Sequence, residues 1–193
     1  MATWKELLKL LRLARYHQIA RRYFVTNGFD GGLAMLGLIM GFYVSGGADP
    51  RMALSACVGT AVALMMSGLS SAYVSEVAER KAELRELEAA MLADLEASAH
   101  ARAARLAPLA IAAVNGLAPL IIAMIIISPL SLEVAGYGLG FPPIEASIAM
   151  SFVVIFLLGA FIGRVSGGFW LWSALRTLVI AGVTAGIIFL IQI

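Results

Sequence analysis

Charge is what this 193-residue chain has least of. Asp, Glu, Lys and Arg make up only 13% of it, while 61% is hydrophobic; a soluble domain carries about a quarter charged residues. Cysteine is almost missing as well. Cys57 stands alone, so no intramolecular disulfide can form. The two histidines, His17 and His100, make no His-rich zinc motif. The chain has no glycine loop ending in Lys-Ser/Thr and no nucleophile elbow, which argues against ATP-driven transport or hydrolytic chemistry within it. A cleavable leader is not expected, because a polar, basic stretch of about 23 residues precedes the first apolar block.

What the chain does have is apolar length. Five blocks, near 24–45, 52–74, 106–127, 145–163 and 172–192, match the roughly 20 residues that cross a bilayer as a helix. The expected fold class is therefore an all-α integral membrane protein with five transmembrane helices. Thirteen basic residues fall before span one, between spans two and three, or beside the link between spans four and five; only Arg51 falls on the other side. The positive-inside rule then predicts a cytoplasmic N-terminus and an outside C-terminus. Tyr23, Tyr73, Trp170 and Trp172 fall at the inner boundary and Tyr43 and Tyr137 at the outer one, as an aromatic belt predicts. The net charge of +2 reflects this topology and does not point to nucleic acid.

Residues 1–23 read as an amphipathic helix lying in the headgroup region, with Trp4, Leu7, Leu8, Leu11 and Ala14 on one face and basic residues over the rest. Residues 24–74 form a transmembrane hairpin around "SGGADPR". From Ser75 to Arg105 the chain has no Pro or Gly and is rich in helix formers. Span two should therefore continue as a cytoplasmic, acidic helix that folds back before Pro108. Residues 106–193 carry spans three to five. Gly28/Gly32, Gly37/Gly41 and Gly182/Gly186 predict close helix pairing in lipid. The outer loop "SPLSLEVAGYGLGFPPIE" reads as irregular.

Two constellations could carry chemistry. Asp30 is the sole ionisable group in "FVTNGFDGGLAMLGLIMGFYV", and a carboxylate in such a run costs about 2.5–3.5 kcal/mol on an insertion scale. Hairpin register sets it opposite Met66, Ser67 and Gly68. A carboxylate beside a thioether suits a divalent transition metal, whereas an Asp satisfied by Asn27 and nearby hydroxyls would be structural only. The second constellation is Glu76, Glu79, Glu83 and Glu86, spaced three, four and three apart on one helix face. Like charges there repel by a few tenths of a kcal/mol per pair. A bound cation, Arg80 and Lys81, or solvation would offset this. Glu88, Asp94, Glu96 and His100 could add ligands if the segment folds back, and Asn115 with Pro119 could break or kink span three.

These residues also carry a resemblance. "NGFDGGLAMLGLIMG" resembles the first span of the vacuolar iron transporter family, "AYVSEVAERKAEL" its stretch closing span two, and "NGLAPLI" its third span. "FLLGAFIGRVSGGFWLWSALRTLVIAGVTAGIIFLI" is similar to its closing pair. The resemblance implies a five-helix homodimer exchanging cytosolic Fe2+, and often Mn2+, for protons, with no prosthetic group. It also implies a metal path through Asp30 and a span-two Met, for which Met66 sits about two residues off the family spacing. Cytoplasmic glutamates, here Glu76, Glu79, Glu83 and Glu86, would gather the ion. The chain departs from the family at Ala72, where a Glu is usual, at Glu79, where Gln is usual, and in a much shorter loop between spans two and three. The competing expectation is a non-transporting membrane scaffold whose cytoplasmic helix binds a partner protein.

Overall fold

The computed structural model describes residues 16–92, 98–138 and 140–191. They form six helices and, among the described residues, no strands: α1 (Tyr16–Val44), α2 (Pro50–Met91), α3 (Ala99–Ile126), α4 (Ser128–Val134), α5 (Pro143–Val165) and α6 (Trp170–Ile191). All but α4 are long and apolar enough to cross a membrane. The protein is an all-α integral membrane protein with five candidate spans. The amphipathic reading of the first 15 residues lies outside the described residues.

Helix boundaries follow local chemistry. Ser45 to Asp49 make the turn between α1 and α2, where Gly46 and Gly47 take φ of 90° and 88°, a region open to glycine at no steric cost. Asp49 caps α2, its Oδ1 accepting the Arg51 N–H at 2.7 Å, and Pro50 follows at the first helical position, where its missing N–H costs nothing. Helix α2 then runs 42 residues without a break. At 1.5 Å per residue that is about 63 Å, roughly twice the hydrocarbon thickness. The sequence expectation of a continuing helix is met. Ser98 caps α3 through its hydroxyl and the Ala101 N–H at 3.1 Å. Helix α3 starts earlier than the apolar block and runs through Pro108. The loop between α3 and α5 is less irregular than its composition suggests: Pro129 opens the short helix α4, and its neighbour Leu130 is fully buried.

The chain divides into two compact units. One holds the chain up to Phe24 together with Met65–Leu117; the other holds Val25–Leu64 and Ala118–Ile193. In the first, Ala107 and Ile111 of α3 form a small core against Ile19 and Tyr23. In the second, Met35, Ile39, Cys57, Ile122, Ile126, Ile127, Leu130 and Leu158 belong to the main core. Leu36, Met40, Ile155 and Ala181 make a second cluster.

Small residues set the close approaches in that second unit. A Cβ on Gly31 would lie 2.7 Å from the Pro119 Cα, and one on Gly28 or Gly32 would press on Ile122, Leu158 or Ile155. The α5–α6 hairpin is tighter still. A Cβ on Gly159 would collide with the Thr177 hydroxyl and lie 3.0 Å from the Ala174 Cα. That hydroxyl donates to the carbonyls of Ala174 and Ile155 at 2.8 and 3.2 Å, which ties the two helices together. Gly182 and Gly186 are both exposed, and a Cβ on either would meet nothing among the described residues. Repeat spacing alone does not say which face of a helix is covered.

Overpacking of a sealed seam costs about 1–3 kcal/mol. Gly159→Leu should therefore lower the melting temperature of the detergent-solubilised protein by several degrees. Gly182→Leu, on the open face, should leave it within a degree or two.

Candidate functional site

The four glutamates are not equivalent. They share α2, but only Glu76 is buried, at 2% exposure; Glu79, Glu83 and Glu86 are exposed. Arg80, 9% exposed, reaches both ways along the helix: Nη2 meets Glu76 Oε2 at 3.3 Å and Nη1 meets Glu83 Oε2 at 2.6 Å. A guanidinium therefore straddles two carboxylates at i−4 and i+3, spacings that share one helix face. Tyr23 of α1 lies close enough to the Glu76 carboxylate for the two to interact, and Tyr23 packs against Ala107 and Ile111. Glu79 and Glu86 have no ion pair among the described residues.

The like-charge stripe that the spacing predicts is thus partly neutralised by Arg80. Burying the Glu76–Arg80 pair removes two ions from water. Their attraction repays that only if the remaining polar atoms are also bonded. Tyr23 and Glu83 supply part of that compensation, while Arg80 Nε stays buried without a partner. Sequence reading assigned Tyr23 to an aromatic belt and missed this role. The available signal was its position one helix start away from a run of carboxylates.

Asp30 belongs to the other unit. It is exposed on α1, and no side-chain hydrogen bond or ion pair reaches it among the described residues. Asn27 and the nearby hydroxyls do not satisfy it. Met66 falls in the first unit, 52% exposed, with its backbone carbonyl accepting from Ser70 Oγ at 2.8 Å. Ser70 and Ser71 both donate back into their own helix, to Met66 and Gly68. Asp94 and Glu96 lie outside the described residues, as does the side chain of His100. Among the described residues no three His, Cys, Asp or Glu side chains converge as a metal-binding group.

Asn115 is the other polar residue that stands out. It is 3% exposed on α3, and its Nδ2 donates to the Gly68 carbonyl of α2 at 2.7 Å. Gly68 and Gly116 permit the approach. A Cβ on Gly116 would run into Leu69 and sit 2.7 Å from the Met65 carbonyl oxygen, and one on Gly68 would sit 3.1 Å from the Asn115 carbonyl oxygen.

Compared with known protein families, curated proteins and solved structures, the chain matches none.

Removing one partner of a buried ion pair costs about 3–5 kcal/mol, whereas loss of an exposed one costs about 0–1 kcal/mol. Glu76→Ala should accordingly destabilise the protein far more than Glu83→Ala, with Glu79→Ala close to neutral. Thermal melting of the three variants in one detergent checks the order.

Proposed function

We propose that this chain is a divalent transition-metal transporter that exports Fe2+ or Mn2+ from the cytosol in exchange for protons, working as a homodimer. The observation that carries the reading is Asp30, an exposed carboxylate with no partner among the described residues, inside an otherwise uncharged span. A charge at that depth is costly and marks ion pathways by default. A cation that comes and goes offsets the cost without a permanent counter-ion. In this reading the Asp30 carboxylate is one ligand on the ion's path and the Met66 thioether another, and a path with a sulfur donor favours a transition metal over magnesium. Glu76, Glu79, Glu83 and Glu86 gather the ion on the cytoplasmic extension of α2.

Coupling follows from ligand chemistry. Carboxylates bind metal in their ionised form, so metal binding expels protons and protonation releases metal. The distribution of basic residues supports a cytoplasmic N-terminus and an outside C-terminus, in a prokaryotic inner or plasma membrane or a vacuole-type membrane. The resemblance of the motifs to those of the vacuolar iron transporter family supports the same reading.

A second reading has its own observation. Arg80 already occupies Glu76 and Glu83, and Leu87 and Met91 stand exposed on the extension of α2. Those features suit a membrane scaffold whose helix binds a partner protein.

Flux of Mn2+ and Fe2+ into proteoliposomes separates the two. The transporter reading expects metal uptake that alkalinises the lumen in step, as protons leave in exchange, and at least a tenfold loss in Asp30→Asn. Absence of flux in the wild-type protein would sink it, and unchanged flux in Asp30→Asn would remove Asp30 from the path.

A further inference from the structure

We propose that Asn115 is an oxygen-ligand station for the permeating cation, lying deeper than Glu76 along the seam between α2 and α3; the proposal rests on the transporter reading above. The residue is pinned. Its Nδ2 is committed to the Gly68 carbonyl at 2.7 Å, and that bond fixes which way the amide oxygen points. Oδ1 is then left buried with no donor. Such an orphan acceptor calls for a missing water or ion, since buried polar atoms in folded proteins are otherwise bonded.

A second acceptor sits on the same residue. Pro119 comes four residues later and has no N–H, so it cannot return the helical hydrogen bond to the Asn115 carbonyl. That carbonyl faces the Cβ-free side of Gly68. One residue therefore carries a buried side-chain oxygen without a donor and a backbone oxygen without its helical donor. A lipid chain has nothing to give them. A cation, bare or carrying water, does.

The surroundings fit a station that opens and closes. On α2, Gly68, Ala72, Glu76 and Arg80 follow at four-residue steps, and Ala72, Glu76 and Arg80 are buried. Glu76 stands eight residues from Gly68, about 12 Å along the helix. On α3 the buried residues Ala103, Ala107 and Ile111 precede Asn115 at four-residue steps. Between the carboxylate and the amide, Ala72 of α2 and Ala107 and Ile111 of α3 are buried, with Ile19 and Tyr23 of α1 packed on the last two. The Asn115 oxygen is sealed in this conformation, so the ion reaches it only when the seam opens. Neutral carbonyl-type oxygens suit manganese, magnesium or calcium better than softer metals. The station thus favours Mn2+ among transition metals.

The test uses full-length protein in proteoliposomes, with Mn2+ as the probe and folding followed by elution profile and melting temperature. Asn115→Leu removes the oxygen and should cut Mn2+ flux at least tenfold. Asn115→Asp keeps an oxygen but loses the donor to Gly68, and should retain flux within about threefold. A purely structural amide bridge makes the opposite forecast for the second variant, so an Asp variant as poor as the Leu variant overturns the proposal. So does wild-type flux in both. If Asn115→Leu does not fold, Pro119→Ala takes its place: it returns a donor to the backbone carbonyl and should slow flux severalfold, and unchanged flux there overturns the proposal. Wild-type protein without flux overturns the transporter reading and this station with it, whereas wild-type flux with insensitive variants removes the station alone.

Discussion

Hydrocarbon offers a polar atom nothing to bond, so each donor and acceptor within a span must find its partner inside the chain. Most of this structure can be understood as obedience to that constraint. Ser55, Thr60, Ser70, Ser151 and Thr184 all donate to the carbonyl one turn back, at 2.8 to 2.9 Å, and so present carbon rather than a free hydroxyl to their surroundings. Thr177 bridges two helices by the same means. Glu76 and Arg80 neutralise each other before they are buried. Against that background the exceptions carry information. Asp30 is charged and unpaired among the described residues, Asn115 is buried with an acceptor unmet, and Arg80 Nε and Ser147 Oγ are buried without a partner as well.

Asp30 and Asn115 differ in kind, and the difference matters for mechanism. A carboxylate brings charge and attracts a cation over distance; an amide oxygen brings only a dipole and acts at contact. Arg80 is a third element, a tethered cation already held between the Glu76 and Glu83 carboxylates.

Much of the fold was legible in the sequence. Five apolar blocks of spanning length announced five helices, and the run from Ser75 without Gly or Pro announced the continuation of α2. Less legible was which face of a helix is covered. Glu76 and Glu79 look alike in a stripe, yet one is buried and the other exposed, because burial depends on where α1 and α3 pass. The same limit explains the glycines. Gly28 and Gly32 pack against Ile122, Leu158 and Ile155, whereas Gly182 and Gly186, with identical spacing, pack against nothing in the chain. Asn115 was visible as a candidate kink, but its orphan oxygen needed the position of Gly68 to become apparent. Tyr23 shows a related limit: an aromatic at a membrane boundary has an ordinary explanation, and only the folded chain shows that it also lies beside Glu76.

Cys57 has been treated as a small apolar side chain, fully enclosed by the main core of its unit. Enclosure also makes its sulfur inert to reagents that arrive from water. A thiol introduced anywhere on the surface would therefore be the sole group to react with a maleimide or spin label. The protein comes ready for accessibility mapping, with no background position to delete.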